Sequence, residues 1–552
     1  MMRKNSVYKR SLVLAMAAAW ALMPTAAMAA PVDAGAKIDR EREAMERARV
    51  AEQMREDKEA REAKVEHEKE GKDERAAEVT FELQKVVFDD SVILTKEELD
   101  GLAAGYIGRI VSLQDLYDLV EKINDLYAKK GYLTCRAFLP PQRIHEGEVS
   151  IRLVEGRTGE VSVKGNKHTK TGYIKEHFDA TPGEVANTDT LTRQLQHFNG
   201  SHDVQLRMVM HAGKERGTTD YEILAYEPKK NQSVTLFVDN NGYDTSGRWR
   251  AGLYYMDRSL SGYRDNLRVH YQHSKGSDAW GLGYTVPLNR HGMKLDLDYN
   301  GNQTEVIDGP LGGLGLEGNA WALAMTLRVP FLVDAKRRFE TGFQYVRQHS
   351  KTDFGNNDWV DDHTSRYVPY ISFTHYGADD VFYHRHSLAR GHKKNILGDS
   401  SDTWNYLFDA FYQKMYKKGE LLQVRFDGQL ASANEQSLAS ADRFYIGGVS
   451  SVRGYEESLL MGKSGYTASL EYQIPVVREK NVRALAFLDY GRVYGPAAAP
   501  ADMNMLISTG VGVVANIKDV TASLVVGVPL KRGIGDEKVD RARLHLTVSA
   551  TF

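Results

Sequence analysis

From Gln232 to Phe552, apolar and polar residues alternate in segments of about ten, and turns rich in Gly, Asp and Asn separate these segments. Leu267, Val269 and Tyr271 alternate in this way in one of them. Such a strand has one apolar and one polar face, so it can pack in a sandwich or close into a barrel. Because about 320 residues at about 20 per strand and turn give roughly 16 strands, the pattern predicts a transmembrane antiparallel β-barrel. A soluble sandwich or propeller is the alternative.

The composition excludes several other classes of protein. No run of 18 apolar residues follows the N-terminus, which excludes a helical membrane protein, and the mean hydropathy is −0.46. A transmembrane barrel is compatible with this value because half of its strand residues face a polar interior. The 72 Lys and Arg against 74 Asp and Glu leave a net charge of −2, which argues against nucleic-acid binding. Cys135 is the only cysteine, so no disulfide framework or multi-cysteine metal site can form within the chain.

The first 29 residues have the pattern of a secretory signal peptide. Four basic residues precede an apolar stretch from Leu12 to Met23, and Ala27 and Ala29 provide a small-residue cleavage site. The apolar stretch is too short to span a membrane comfortably as an anchor. Removal of residues 1–29 would change the net charge from −2 to −2 − 4 = −6. We therefore expect the mature protein to leave the cytoplasm.

Residues 30–78 are dominated by charge. Most of the side chains between Lys37 and Arg75 are charged, both signs are present, and the stretch contains no Pro. A helix from Lys37 to Glu70 would be about 50 Å long at 1.5 Å per residue. It would lack the apolar seam of a coiled coil. On composition alone, the segment is a charged spacer helix or a disordered tail, followed by a linker.

The next 150 or so residues change pattern again and predict two small α/β units, a length within the usual range for domains. In residues 79–156, Phe81 to Val87 predicts a strand, Ser112 is placed to cap a helix, and two strands end near Gly156. The same order of strand, two helices and two strands recurs in residues 157–228. Such a repeat predicts two modules in tandem, each with a sheet covered on one face by helices.

Two motifs in the barrel region predict a contact inside its lumen. Their residues are Val452, Arg453, Gly454, Tyr455, Phe487, Asp489 and Gly491. Arg453 presents a planar guanidinium in a glycine-flanked turn, and Asp489 presents a carboxylate from a strand. Bidentate pairing of these groups would hold a hairpin in one position, and Tyr455 is placed to pack over the guanidinium. The alternative is a solvated hairpin tip and an unrelated wall aspartate.

With these motifs the chain resembles the two-partner secretion transporters of the Gram-negative outer membrane, the TpsB or hemolysin secretion/activation family. This family is related to BamA-type barrel assembly proteins. Residues 447–455 resemble its VRGY motif, at the tip of a hairpin around 444–466 that folds into the lumen. Residues 487–491 resemble the F-x-D-x-G pattern on a wall strand.

Two further segments carry the resemblance. The first is similar to the closing part of a POTRA domain and includes Pro141, Gln142, Gly147, Glu155 and Gly156. The second is similar to the start of the family's barrel and includes Asp239, Asn240 and Gly242.

The resemblance implies α+β POTRA domains at 79–156 and 157–228, followed by an outer-membrane barrel at 229–552. The POTRA domains would lie in the periplasm and capture an unfolded client by strand addition. The client would be a large secreted exoprotein with an N-terminal secretion domain, exported through the barrel without nucleotide hydrolysis. The charged helix gains a second interpretation, as a plug of the pore.

The resemblance also defines the partners and the competing functions. We expect a monomer that contacts outer-membrane lipids, needs the barrel assembly machinery for its own insertion, and binds no nucleic acid. A barrel-assembly insertase and a passive porin are the alternatives.

No catalytic residue, cofactor or metal is expected. The sequence contains no nucleophile elbow, phosphate loop or zinc-protease motif, so we predict that the protein is not an enzyme. His384, His386 and His392 form a cluster, but this spacing without nearby acids is more typical of a solvated loop than of a metal site.

Overall fold

The computed structural model describes residues 80–355, 357–432, 437–495, 504–534 and 537–552. It also describes Ala34, Ala36, Lys37 and Arg40, and the short strand β1 (Glu66–His67). The predicted signal peptide and most of the charged segment lie outside the described residues. The chain forms two units, one from Glu56 to Lys229 and one from Lys230 to Phe552 together with the four described residues near the N-terminus. Within the described part of the chain, no helix is both long and apolar enough to cross a membrane.

The first α/β module begins at β2. Its elements are β2 (Thr80–Leu83), β3 (Lys85–Phe88), α1 (Lys96–Ala103), β4 (Arg109–Ser112), α2 (Leu113–Lys129), β5 (Cys135–Phe138) and β6 (Glu148–Glu155). The predicted cap of α2 is confirmed: the Ser112 hydroxyl accepts from the Asp115 amide, and the Asp115 carboxylate accepts from the Ser112 amide. Leu116, Leu119 and Ile123 of α2 are fully buried in the core of the module.

The predicted single strand from Phe81 to Val87 is divided in the structure. The amides of Gln84 and Lys85 both donate to the Gly147 carbonyl, at 2.8 and 3.2 Å. Because of this anchor, β2 pairs with β4 while β3 pairs with β6. The sequence pattern did not predict β4.

The second α/β module has the predicted order of elements. They are β7 (Arg157–Lys164), α3 (Thr171–Lys175), α4 (Thr188–Asn199), β8 (Gln205–Ala212) and β9 (Thr218–Tyr226). The sheet order is β1-β8-β9-β7, and β1 runs parallel to β8 with Glu66 opposite Val209. Since Glu66 and His67 are extended, the prediction of a helix reaching Glu70 is wrong at its C-terminal end.

The remaining strands follow from Gln232 onward. They are β10 (Gln232–Asp239), β11 (Arg250–Asp257), β12 (Asn266–Ser274), β13 (Ser277–Pro287), β14 (Lys294–Glu305), β15 (Leu316–Val333), β16 (Arg337–Phe354), β17 (Asn357–Tyr376), β18 (Asp380–Lys394), β19 (Ser400–Met415), β20 (Leu421–Ala431), β21 (Phe444–Ile446), β22 (Leu460–Gly462), β23 (Ser464–Val477), β24 (Val482–Tyr494), β25 (Met505–Ile517), β26 (Val520–Pro529), β27 (Gly533–Ile534), β28 (Glu537–Lys538) and β29 (Arg543–Thr551).

Sixteen of these described strands form one closed antiparallel barrel, which confirms the predicted fold. Its order is β10 to β20, then β23 to β26, then β29, and β10 pairs with β29 to close the circle. The strands β15, β16 and β17 contain 18, 18 and 20 residues. They are therefore longer than the roughly 10 residues that a tilted strand needs to cross a bilayer.

The two faces of the barrel wall differ in the predicted way. Large apolar side chains such as Leu282, Phe343 and Ile371 are exposed on the outer face. The inner face carries buried charged pairs, of which Arg328 and Asp296 approach to 2.6 Å. This distribution, apolar outside and polar inside, is that of a transmembrane barrel.

Candidate functional site

The hairpin formed by β21 and β22 lies against the inner face of the barrel. Its apolar side chains form a buried cluster with two wall residues, one from β24 and one from β25. The cluster consists of Ile446, Val452, Tyr455, Leu459, Leu460, Val493 and Leu506. These apolar contacts attach the hairpin to the wall, and the charged groups described next strengthen the attachment and fix the position of the hairpin.

Arg453 lies at the turn of this hairpin and contacts several polar groups. Its Nε and Nη2 atoms donate to the two carboxylate oxygens of Asp489, at 2.7 and 2.9 Å, and its backbone amide donates to the same carboxylate at 3.1 Å. Nη1 donates to Glu471, and Nη2 also lies 3.3 Å from the Ser469 hydroxyl. Asp489 is fully buried. We call Arg453, Asp489, Glu471 and Ser469 the arginine clamp.

The sequence predicted Arg453 and Asp489 of this clamp but not Glu471 or Ser469. Both missed residues lie on β23, where Ser469 is directly opposite Asp489 in the register. Their signal is visible in hindsight: Ser469 and Glu471 occupy the polar phase of a strand on which Leu470 and Tyr472 face outward.

The aromatic residue over the guanidinium is Phe487, so the prediction that Tyr455 packs there is wrong. The Arg453 guanidinium carbon lies 3.6 Å from the centre of the Phe487 ring, a cation–π contact. The Tyr455 hydroxyl instead reaches the carbonyl oxygens of Ile507 and Lys531, at 2.8 and 2.7 Å. Phe487 occupies the position because it alternates onto the same inner face as Asp489, two residues away.

Two glycines of the motifs make the close approach of hairpin and wall possible. Gly454 has a φ of +90°, and a Cβ on Gly527 of the wall would lie 2.5 Å from the Gly454 nitrogen. A Cβ at Gly491 would lie 2.8 Å from the Val452 side chain. Any larger residue at these positions would push the hairpin away from the wall.

The predicted barrel-start residues lie at the seam between the first and last strands. The Asp239 carboxylate accepts from Nε and Nη2 of Arg250, at 2.7 and 3.1 Å. The Asn240 side chain accepts from the Leu546 amide of β29 at 2.7 Å. A Cβ at Gly242 would collide with a backbone oxygen of the following turn. Asn240 therefore joins the first strand to the last, whereas Asp239 and Gly242 fix the connection between β10 and β11.

Residues from the N-terminal segment lie inside the barrel. Ala34 is fully buried against Ala320 and Ala322, and its carbonyl accepts from the Asn302 side chain at 2.9 Å. The Lys37 ammonium donates to the Ser277 hydroxyl. Since these wall residues belong to the inward phase of β13, β14 and β15, Ala34 and Lys37 occupy the lumen.

Arg40 connects the N-terminal segment to the hairpin. Its guanidinium carbon lies 4.4 Å from the ring centre of Tyr445 on β21 and 5.1 Å from that of Tyr243. The hairpin is thus in contact with the wall through Arg453 and with the N-terminal segment through Tyr445.

The sequence of the chain matches two family models. Residues 217–515 match the family described as haemolysin secretion/activation protein ShlB/FhaC/HecB. The chain belongs to this family. Residues 81–156 match the ShlB-type POTRA domain, so the first α/β module is that domain. Members of the ShlB/FhaC/HecB family are outer-membrane transporters, with the barrel in the outer membrane and the POTRA part in the periplasm.

Individual members of the ShlB/FhaC/HecB family extend the likeness over most of the chain. The heme/hemopexin transporter protein HuxB of Haemophilus influenzae is 24% identical over 426 residues, 72% of each chain. The outer membrane transporter CdiB of Dickeya dadantii is 22% identical over 480 residues, 82% of this chain and 83% of its own.

Solved structures show the same fold. CdiB from Escherichia coli superposes with a TM-score of 0.69 at 18% identity and covers 93% of this chain and 98% of its own. A BamA fragment from Haemophilus ducreyi, with a TM-score of 0.51 at 14% identity, covers 86% of this chain and 100% of its own. The chain therefore shares its fold with this BamA fragment.

Within the POTRA domain, the motif residues hold the module together. Gln142 pairs both ends of its side-chain amide with the backbone of Ser150, at 2.8 Å each. Gly147 has a φ of +73°, and Pro141 lies exposed beside Gln142. A Cβ at Gly156 would lie 2.6 Å from the Thr134 carbonyl oxygen. These residues thus position backbone rather than present groups to a ligand.

Among the five residues named from that segment, Glu155 is the charged one. Its carboxylate accepts from the hydroxyls of Ser91 and Tyr127, at 2.5 and 3.0 Å, and from the Val92 amide at 3.0 Å. Burial raises the pKa of the Tyr127 hydroxyl, which therefore stays a donor. The carboxylate anchors the turn that precedes α1.

Proposed function

We propose that this chain is the outer-membrane transporter of a two-partner secretion pair, which takes an unfolded exoprotein from the periplasm and exports it through its barrel. The arginine clamp is the observation that carries the proposal. A hairpin that only filled the lumen could be held there by apolar contacts or by polar contacts through water. A buried bidentate pair with a second carboxylate instead selects one position, because any displacement leaves charges unpaired.

We propose further that the N-terminal segment closes the resting pore. Support comes from Ala34 and Lys37, which are buried against the inner wall, and from Arg40 against the hairpin. A segment with charge on all sides suits a polar lumen and would be costly in lipid. The spacer interpretation does not account for these buried contacts.

Client capture would take place on the α/β modules, the second of which we assign as a second POTRA domain. In the first module, the amide and carbonyl of Ala137 on β5 are both hydrogen-bonded to the Asn124 side chain. The amide and carbonyl of Ser150 are hydrogen-bonded in the same way to the Gln142 side chain. These side chains cover parts of the first module's sheet. In the second module, by contrast, the short strand β1 is added to the sheet beside β8 and forms its edge. This pairing supports capture of an extended peptide by strand addition.

Arg453→Ala tests the proposed function. We expect the variant to reach the outer membrane as a folded barrel and to lose at least nine-tenths of client secretion, since the hairpin loses its two carboxylate partners. The measurement is the ratio of client in the medium to client in the cells, with barrel folding checked by heat-dependent gel mobility.

Arg443→Ala is the matched control, because Arg443 lies on the same segment and donates to the Met461 sulfur at 3.6 Å rather than to a carboxylate. This variant should secrete normally. Normal secretion by Arg453→Ala would contradict the proposal. Depletion of the protein should stop one secreted client and leave other barrel proteins in place, whereas a barrel-assembly insertase would affect them all.

A further inference from the structure

The long hairpin of β16 and β17 carries a polar cluster on its outer face. Outward-facing residues of this hairpin change from aromatic to polar along the strands: Tyr345 and Tyr367 contact each other at 5.2 Å between ring centres, and His349 and His363 follow beyond them. The turn of the hairpin is at the barrel end opposite to the one at which the chain enters from residue 230. The polar cluster therefore lies toward the cell-surface end of the barrel, level with Trp321 of β15, whose ring centre is 6.2 Å from that of His349.

The cluster contains three metal-ligating groups. His349 Nε2 lies 2.8 Å from Asp361 Oδ1, and His363 Nε2 lies 3.5 Å from the same oxygen. The two imidazole rings are parallel within 5°, with 4.2 Å between their centres. One potential ligand atom from each residue can be chosen so that all three lie within 4.8 Å of one another.

These distances match those between ligands of a tetrahedral metal ion. Ligand atoms at 2.0–2.1 Å from zinc are separated by about 3.3 Å. The observed 2.8 and 3.5 Å bracket this value. Because a metal ion lies in the plane of each imidazole that binds it and the two rings are now stacked, at least one ring must turn out of the stack to bring both nitrogens and the carboxylate oxygen around one ion.

The strand register holds the ligands in place. His349 is directly opposite His363, and Asp361 is on the same face two residues earlier. Lys351, the residue opposite Asp361, is paired with Asp353 and Asp358 at 3.0 Å each. The Asp361 carboxylate is therefore directed toward the histidines rather than neutralised by this lysine.

We propose that His349, Asp361 and His363 bind one divalent transition-metal cation of the zinc class at the cell-surface side of the barrel. Two imidazoles and one carboxylate are a ligand set that suits zinc, and they leave the fourth position open to water. The bound ion would link β16 to β17 on the outer face of the wall. It is a property of the wall and is independent of the arginine clamp and of export.

The other histidines of the barrel provide a comparison within the same molecule. His384 and His386 contact each other at 3.1 Å, while His392 is bonded separately to Asp402 at 2.8 Å. In the described residues, the trio around His349 is the group in which three such ligands converge. The sequence cluster at 384–392 is thus divided, and the trio comes from two strands.

Titration of the untagged full-length protein in detergent with zinc chloride, followed by calorimetry, tests the proposal. We expect one zinc ion per chain. His349→Ala, His363→Ala and Asp361→Asn should each weaken binding at least tenfold, since even outer-shell changes cost 10- to 100-fold. X-ray absorption of the zinc complex should show two imidazole nitrogens and oxygen ligands at about 2.0–2.1 Å.

Two control variants make the test specific. His392→Ala removes a histidine with a single acidic partner, and the double variant His384→Ala/His386→Ala removes the neighbouring histidine pair. Both should bind zinc as tightly as the unmodified protein, and heat-dependent gel mobility should show all variants folded. Absence of stoichiometric binding, or its loss in a control variant with retention in His349→Ala, would overturn the proposal.

Discussion

Asp489 in the barrel and Glu155 in the POTRA domain are both motif carboxylates, yet their partners differ in kind. Asp489 accepts from a guanidinium that belongs to a separate hairpin, and a second acid shares that guanidinium. Glu155 accepts from hydroxyls and a backbone amide of its own module. A carboxylate with neutral local donors shapes a turn, whereas a carboxylate with a distant buried cation holds two parts of the protein in register.

Asp489→Ala should have the largest effect, because it removes the carboxylate that joins the hairpin to the wall. Removing one partner of a buried pair costs about 3–5 kcal/mol, so the hairpin should leave the wall at least a hundredfold more often. Trypsin cleavage after Arg453, followed by mass spectrometry, would report this release.

Glu471→Ala should give an intermediate cleavage rate, because it leaves the bidentate pair with Asp489 in place. A cleavage rate in Asp489→Ala equal to that of the unmodified protein would show that the hairpin does not depend on the clamp.

Deletion of residues 31–62 should have the next largest effect. It leaves residues 1–29 and β1 in place and removes the residues now buried in the lumen. Single-channel conductance should rise several-fold, since an open barrel of this size encloses an aqueous channel. Lys37→Ala/Arg40→Ala, which keeps the segment, should raise it less. Unchanged conductance in the deletion variant would exclude the plug.

Glu155→Ala should lower the stability of its own module without a direct effect on export. Its hydroxyl and amide donors would lose their acceptor, which costs about 1–3 kcal/mol of module stability. Urea unfolding of the helices, followed by circular dichroism at 222 nm, measures this loss. Client secretion should persist at temperatures where the module remains folded. Loss of secretion without loss of stability would mean that Glu155 contacts the client.

Cys135 tests whether the core of the POTRA domain stays closed. Burial raises the pKa of its thiol to about 11, against about 8.5 for a free cysteine. The folded module should react with a maleimide hundreds of times more slowly at pH 8 than the unfolded chain. Because the unfolded thiol ionises first, module stability should also fall as the pH rises from about 8.5 to 11.

Val92→Cys in a Cys135→Ser background provides the labelling control, since Val92 is 72% exposed. It should react at the rate of a free thiol. Equal rates for Cys135 and this control would show that the core of the POTRA domain opens frequently.

Much of the architecture could be predicted because it depends on local periodicity. Alternation indicated the barrel, and the Ser112 cap indicated α2. The division of the first strand at Gln84 could not be predicted, because the carbonyl that causes it belongs to Gly147, on the far side of both helices in the chain.

In the candidate site, too, local motifs could be predicted from the sequence, whereas contacts that depend on strand pairing could not. Arg453 and Asp489 are visible as motifs, whereas Glu471 becomes a partner only through the β23–β24 register, and Phe487 displaces Tyr455 for the same reason. His349 and His363 are likewise brought together by the pairing of two strands. Their spacing along the chain matches no linear metal-binding motif and could not predict the contact.

The seam between β10 and β29 has a consequence for biogenesis. Thr235 pairs with Thr551 and Asp239 with Thr547, so the partner of the first barrel strand lies about 300 residues further along the chain. Without β29, both β10 and β26 would expose an unpaired edge, which would be costly in lipid. A chain truncated before β29 should therefore fail to form a closed barrel.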